Sequence, residues 1–547
     1  MTLARAGALA VFVTAGAVGA IGLYLTFDLV ASALHPAAVS EGRGDPKRTV
    51  LTQPVGGERE QTVALAPPRG ENPTAPTSPA PAARPATEPT PNSAPNSTPK
   101  PTAQSTPAPV EVAPPEPAAP AGPVEVEVAD PRVVSVGKPR AAQDTGQDKR
   151  GLVILHIGDS HTSADFLTGE LRRRLQARYG RGGTGYMTAG HPHIGVRSST
   201  VKITASPGWT YKSLQRPDAH VGEFWLSGYD AIATAAGETM SFASEQPISF
   251  DAIEIEVIGQ PGGGAIDIKL DGNVATHYDL AASRIEPVVI RLLPVHGPTD
   301  KLHDISITTT SPGTVSLASV SIYNNHSGLT YNSVGYVGAQ AMLLNKMSEK
   351  LFADDLVRIN PQIVVLSFGT NEASNEHLDI AQYTKSYERI IGKIKAALPA
   401  ANVVMILPPD FNEMPTSCAK DKVADAACRR APPDVNVAAN AGATTALASA
   451  ASAPECAWRT PAKLAQIRDA QRDIAKRHGL VYWNWASIMP EGECGAHQWF
   501  TASPPLMSRD HVHFTGEGYK KSAEQFLNTL IPVIEKVRVG ANVIPNN

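Results

Sequence analysis

The chain has 547 residues, a formal net charge of −4 and 18% charged residues. No long basic stripe is available for a nucleic-acid partner, and four cysteines do not make a disulfide-dense scaffold. Proline is the outlier: 24 of its 47 residues lie between Pro36 and Pro139, so roughly a hundred residues there add nothing to a core. The ~400 residues that follow suffice for one large domain with an insertion, or for two domains.

Ala6 to Phe27 contains no charge and is long enough to cross a ~30 Å hydrocarbon core as a helix. It exceeds the 7–15 residues of a usual signal-peptide core. Residues 1–38 therefore read as an uncleaved signal-anchor; Ala31-Ser32-Ala33 keeps cleavage and secretion open as the alternative. Arg5 favours an N-in orientation, while Arg43, Lys47 and Arg48 oppose it. Within residues 39–147 the stretch Pro73 to Thr102 is Pro/Ala/Thr/Ser with almost no large apolar side chain. Residues 39–147 as a whole are Pro/Ala/Thr-rich. They read as a disordered, semi-extended linker.

Order begins near Gly151. Leu152 to Gly158 is a continuous apolar run, as expected of a buried parallel strand, and it leads into Asp159-Ser160-His161-Thr162. A helix is expected from Ala164 to Tyr179. Further strands are expected at Gln362 onward, Asn402 to Leu407 and Leu480 to Trp485. Helices fit roughly Ile380 to Leu398, Pro461 to His478 and Thr515 to Val537. Alternation of strand and helix implies a parallel sheet covered on both faces. Ser160 then sits at the carboxyl end of a strand, where such sheets place their sites.

Three blocks carry chemistry. A serine hydroxyl becomes a nucleophile when a neutral imidazole takes its proton, and His513 can be that base. Asp510, three residues earlier, can orient the ring. Asn371, just past a middle strand, can donate its amide to an oxyanion. Gly158-Asp159-Ser160, Gly369-Thr370-Asn371 and Asp510-x-x-His513 resemble, in this order, the blocks of the SGNH (GDSL-type) hydrolases. The resemblance implies a three-layer α/β fold, a catalytic triad of Ser160, Asp510 and His513, and no cofactor or metal. It implies an oxyanion hole from the Ser160 N–H, the Asn371 amide and a glycine N–H. Within Asn332 to Ala339, Gly338 is assigned as that glycine, with Gly335 as the runner-up. The Gly-x-Ser-x-Gly elbow is not met, because Thr162 stands at the last glycine place.

Between the serine and glycine blocks, Phe250 to Ile258, Ala265 to Leu270, Pro287 to Leu293, Asp304 to Thr309 and Thr314 to Tyr323 read as short strands, with a hairpin signal at Asp271-Gly272. They indicate a β-sandwich over residues 196–325, inserted into a hydrolase domain of 148–195 and 326–540. A sandwich at this place, with the Gly182 to Tyr186 stretch, resembles the peptidoglycan O-acetylesterase group, where the insert looks like a carbohydrate-binding module. A lid or dimer surface is the alternative for the insert. Trp209, Tyr211 and Trp225 can stack on sugar rings or lie in a core; His161 can touch substrate or pack near the site.

Other groups weigh less. His191, His193, His511 and His513 invite a zinc reading, but no HExxH or CxxC spacing accompanies them. Glu372 reads as a solvated carboxylate at a helix start. Cys418, Cys428, Cys456 and Cys494 suggest two disulfides with three possible pairings, of which Cys418–Cys428 and Cys456–Cys494 are expected. The leading expectation is a cell-envelope serine esterase that removes O-acetyl groups from a polysaccharide, with peptidoglycan as the partner. It is held to the inner membrane by its N-terminal helix, with the catalytic part in the periplasm. An O-acetyltransferase, a non-catalytic wall-binding protein and an esterase for another polysaccharide are the alternatives.

Overall fold

The computed structural model describes residues 124–129, 151–216, 224–297, 299–324, 328–415, 418, 428–429, 456–492 and 494–540. The apolar segment 6–27 and nearly all of the tract 39–147 lie outside these residues. No helix among the described residues is long and apolar enough to cross a membrane.

Five strands form a parallel sheet: β1 Leu152–Gly158, β2 Leu329–Gly335, β3 Ile363–Ser367, β4 Asn402–Leu407 and β5 Val481–Asn484, in the spatial order β2-β1-β3-β4-β5. The helices are α1 Ser160–Ser163, α2 Phe166–Tyr179, α3 Glu349–Ile359, α4 Thr370–Ala373, α5 Ile380–Ala397, α6 Lys463–Arg477, α7 Gly495–Thr501 and α8 Gly516–Arg538. Side chains alternate across each strand. Val153, Leu155 and Ile157 pack with α3, α5 and α6 through Leu356, Ile394 and Leu464. Leu152 and Ile154 pack with α2 and α8 through Leu171, Leu175, Phe526 and Leu530. Burial on both faces is why β1, β3 and β4 are almost wholly apolar. The order reverses between β1 and β3, and the crevice at their carboxyl ends is where such sheets bind ligands.

Two elements depart from the sequence reading. The helix expected from Ala164 to Tyr179 starts two residues later, at Phe166, because Asp165 takes a left-handed conformation (φ 54°) that separates α1 from α2. Its carboxylate accepts from Arg172 (3.0 and 3.1 Å), Thr168 (2.6 Å) and Ser199 (2.7 Å), which holds the break. The segment expected to be only a glycine turn also supplies a whole strand, β2. Its polar interior is satisfied in place: Asn332 donates to Ile154 O (3.1 Å) and accepts from Tyr186 N–H (2.9 Å).

The inserted module is a two-sheet antiparallel sandwich around one apolar core. One sheet runs 126–129, 286–294, 252–259, 315–323, 229–233, 210–213, with 185–188 also paired to 315–323. The other runs 273–279, 265–270, 299–309, 239–250, 202–205. The sandwich thus begins before residue 196. It also takes Val126–Ala129 out of the segment read as linker, where Val126 and its neighbour Val124 pack on the core. The alternation of Val and Glu from Val124 to Val128 is a strand pattern inside proline-rich surroundings.

The sandwich is joined to the α/β layer by a buried ionic cluster. Arg358 of α3 pairs with Glu254 and Glu256 of the sandwich and with Asp355 (2.7 Å). Tyr186 and Ser319 donate to Glu256 (2.8 and 2.6 Å), and Asp355 accepts the Leu226 N–H (2.7 Å). Burial, with the charge of Asp355, pushes Glu256 up to about 8 despite Arg358. The folded state therefore holds a proton that the unfolded chain releases between the ordinary 4.5 and about 8, so stability falls as pH rises through that window. The melting temperature should drop between pH 5 and 8, and Glu256→Gln, which keeps the shape and removes the charge, should flatten that drop. An unchanged slope in the variant would rule Glu256 out as its source.

Candidate active site

The serine turn is set by Asp159, the N-cap of α1. Its Oδ1 accepts the His161 N–H (3.0 Å), and its carbonyl accepts the N–H groups of Thr162 (3.1 Å) and Ser163 (3.0 Å). Its own N–H donates to Ser367 O at the end of β3 (3.2 Å), and the Thr370 hydroxyl bonds to its carboxylate. Burial pushes Asp159 up to about 6, against those hydrogen bonds and the nearby His513. In this pattern the N–H groups of residues 161–163 are taken up. The first-turn N–H of Ser160 is left over, as helix starts leave it. Gly335, at the end of β2, pairs with Gly158 and has no room for a side chain: a Cβ there would lie 2.1 Å from Ser163 N.

Ser160, Asp510 and His513 come together. Ser160 Oγ lies 2.8 Å from His513 Nε2, and His513 Nδ1 lies 2.7 Å from Asp510 Oδ2. The tautomer with its proton on Nδ1 satisfies both contacts and leaves Nε2 to accept from the hydroxyl. Asp510 Oδ1 also accepts the N–H groups of Val512 (3.0 Å) and His513 (2.9 Å), so one side chain shapes the turn and orients the ring. Burial pulls His513 down, but the hydrogen bond and charge of Asp510 outweigh it and leave the imidazole above 6.5. Burial pushes Asp510 up, yet His513 and the two backbone donors hold it at about 2.

The other two blocks face each other. Asn371 donates through Nδ2 to Ala339 O (2.9 Å), which leaves its second N–H uncommitted by this contact. Gln340 Nε2 donates to Asn371 O (3.4 Å), and Glu372 Oε1 accepts the Ala341 N–H (2.7 Å). These bonds tie the turn after β3 to the glycine turn after β2. In that turn Ala339 N–H bonds Tyr336 O (3.2 Å) and Gly338 has φ +72°, a conformation that favours glycine. Gly338 is exposed on the turn, whereas Gly335 is held within the sheet. Glu372 is not solvated, as its position at a helix start suggests. It is buried, and burial pushes it up to about 7.

Of the residues expected to bind substrate, His161 lies at the site, and Trp209 and Tyr211 lie in the sandwich. His161 is buried beneath His513, with ring centroids 5.2 Å apart, and packs on Trp485, Phe514 and Tyr519. Its Nδ1 bonds the Tyr519 hydroxyl (2.9 Å), and burial lowers it to about 3, so it is a neutral wall of the site. Trp209 belongs to the sandwich core and donates to Thr239 O (3.0 Å). Tyr211 is half-buried, and its hydroxyl accepts the His191 N–H (2.9 Å). Trp225 is buried with Ile258, Val289, Ala318 and Leu351. The sequence does not distinguish these core aromatics from an exposed stacking platform.

His511 stands between Asp510 and His513 but turns away from them. Its ring stacks on Trp458 (centroids 3.7 Å, interplanar 10°) and against Phe500 (4.2 Å), its backbone has φ 57°, and its carbonyl accepts the Asn412 N–H (2.9 Å). Trp458 is carried by a loop that the disulfides close. The pairing is Cys418–Cys456 and Cys428–Cys494, not the expected neighbours. The antiparallel bridge of Glu413 with Arg459 brings Cys418 to Cys456, and Cys428 bridges to Trp458 beside α7. His191 bonds Ile203 O (2.8 Å) and His193 accepts the Gly195 N–H (2.9 Å), so neither faces His511 or His513. Among the described residues no group of three or more His, Cys, Asp or Glu gathers as metal ligands.

Residues 317–521 match the model of the GDSL-like lipase/acylhydrolase family. The match spans Gly338, Asn371, Asp510 and His513 and begins after Ser160. No curated relative matches the sequence. Among solved structures the chain is similar to a peptidoglycan O-acetylesterase, with TM-score 0.53 and 23% identity over 71% of this chain and 93% of that one. It is also similar to family two carbohydrate esterases from Cellvibrio japonicus (TM-score 0.23, 12% identity, 65% of this chain and 99% of that one) and Clostridium thermocellum, the latter in complex with cellohexaose (TM-score 0.22, 10% identity, 62% and 99%). TM-scores that low carry no weight. The chain resembles the SGNH hydrolases, and among them the peptidoglycan O-acetylesterase group.

For any ester whose hydrolysis depends on Ser160, kcat/KM should rise with pH as His513 loses its proton, with a midpoint above 6.5. Asp510→Asn should lower the rate by about 10⁴-fold and move the midpoint down. A midpoint that stays in place would separate Asp510 from the titrating group.

Proposed function

We propose that the protein is a carbohydrate O-acetylesterase acting through a Ser160–His513–Asp510 triad, and that its substrate is O-acetylated peptidoglycan. The observation that carries the reading is the unbroken relay of 2.8 and 2.7 Å from Ser160 Oγ through His513 to Asp510, placed at the carboxyl ends of β1 and β3. His513 takes the serine proton as Oγ attacks the acetyl carbonyl. The N–H groups of Ser160 and Gly338 and the free Asn371 N–H receive the oxyanion. His513 then gives its proton to the departing sugar oxygen, and water, activated by the same imidazole, releases acetate. No step needs a cofactor.

The substrate follows from the likeness to a peptidoglycan O-acetylesterase and is the first to test. The reading extends to the setting: a catalytic head outside the cytosol, tethered through the linker by the N-terminal apolar segment. Two disulfides among the described residues support an oxidising compartment.

Acetate release should be measured on O-acetylated peptidoglycan, acetylated xylan and p-nitrophenyl acetate. Ser160→Ala should abolish release, and Asn371→Ala should cost about 10²–10³-fold in kcat. Release highest on peptidoglycan would support the substrate. Hydrolysis of the small ester alone would reject peptidoglycan and keep the triad, and release that appears only with an acceptor glycan would reassign the chemistry to acetyl transfer.

A further inference from the structure

Beside the serine turn, between the α/β layer and the sandwich, lies a cavity of about 620 Å³, within the size range of small-molecule sites. Thr162 and Ser163 of α1 form part of its wall, so the cavity and the nucleophile share one helical turn, ~5 Å of rise. Most of the remaining wall comes from Tyr186 to Thr188 and the segment 191–203, with Asp165, Arg172, Thr184, Ser333 and Gly335 completing it. That segment is fixed to the site on two sides. Ser163 Oγ donates to Gly195 O (3.0 Å), and Arg197 N–H donates to Ser163 O (3.0 Å). On the other side Gly195 lies against Val337, the neighbour of Gly338, and Gln215 bonds Val337 O (2.9 Å). Ile194, 82% exposed, stands on the rim.

The lining has an unbalanced charge. It holds three permanent cations, Arg172, Arg197 and Lys202, and one carboxylate, Asp165. Asp165 is consumed: Arg172 takes both its oxygens, and Thr168 and Ser199 complete its shell. That pair cancels. Arg197 places its guanidinium 5.6 Å over the Phe166 ring and spends Nε on Ile194 O (3.1 Å). Among the described residues neither Arg197 nor Lys202 is paired with a carboxylate. Among the described residues the lining therefore holds two exposed cations without a carboxylate partner, Arg197 and Lys202, together with apolar surface from Met187, Val196 and Val201, in a cavity whose wall includes the turn of the serine.

We propose that this cavity is a subsite for a carboxylate-bearing substituent of the glycan, with Arg197 and Lys202 as its cations, and that it makes the enzyme select acidic acetylated glycans over neutral ones. The proposal rests on the esterase reading above and names its substrate class. A peptide-bearing sugar and a uronic acid share the required carboxylate, and the test separates them.

Two measurements on the full chain decide it. First, kcat/KM for acetate release is compared on an O-acetylated disaccharide-peptide of peptidoglycan, an acetylated galacturonan oligomer and a neutral acetylated xylo-oligosaccharide. The double variant Arg197→Gln, Lys202→Gln should lower the acidic-to-neutral ratio by about tenfold or more, since a hydrogen bond to a charged group contributes more than a neutral one. The acidic substrate that loses more identifies the source of the carboxylate, and added salt should erode the same ratio. An unchanged ratio overturns the proposal. Second, the non-acetylated disaccharide-peptide and galacturonan trimer are titrated into the Ser160→Ala chain with and without the double substitution, where binding should weaken by at least tenfold. If no substrate yields serine-dependent acetate while this binding persists, the esterase reading fails and the carboxylate site stands. If binding does not depend on Arg197 and Lys202, the site fails whatever the activity.

Discussion

The site depends on one buried carboxylate that performs no chemistry of its own. Asp159 caps the turn that presents Ser160, binds the end of β3 through its N–H and receives the Thr370 hydroxyl of the turn that carries Asn371. One residue thereby sets the distance between nucleophile and amide donor. Burying a carboxylate is costly unless it is well bonded, and the cost is accepted because the same bonds fix two catalytic turns. The bonds of Asn371 and Glu372 to Ala339 and Ala341 extend the tie to the glycine turn. The three turns form one hydrogen-bonded unit at the mouth of the sheet.

The histidine turn is braced differently. Asp510 organises its own loop, and the ring of His511 is clamped outside the site by Trp458. Trp458 stays in place because crosslinks at Cys418–Cys456 and Cys428–Cys494 close the segment that carries it. Hydrogen bonds hold one half of the triad, and stacking with covalent closure holds the other.

Much of this arrangement is legible in the sequence. β1, β3 and β4 announce themselves because burial on both faces keeps them almost wholly apolar, with only His156, Ser367 and Asn402 as polar members, and the serine and Asn371 blocks follow the ends of β1 and β3. β2 is hidden because Tyr331, Asn332 and Ser333 break the apolar run; their polar groups are satisfied by His156, Ile154, Tyr186 and Arg172, which only the fold brings near. The short strands 185–188, 202–205 and 210–213 are missed because four residues give no usable period, whether nearly all buried, as in the first, or partly exposed, as in the other two. The crossed disulfides and the Trp458–His511 stack leave no local mark, since both join residues from separate stretches of chain.

The composition of the sandwich bears on how the chain reaches its native state. One of its sheets is assembled from 126–129, 185–188 and strands from 210–213 through 315–323, and the α/β sheet closes only when β2 pairs with β1. Asn332 bonds Ile154 across 178 residues of sequence. During synthesis 126–129, β1 and 185–188 therefore emerge well over a hundred residues before the strands 286–294, β2 and 315–323 that they pair with. Such long-range closure is slow and leaves strand edges open to wrong pairing. Neither lobe is an excisable module: cutting out residues 196–325 would leave 126–129 and 185–188 without the strands 286–294 and 315–323 that they pair with.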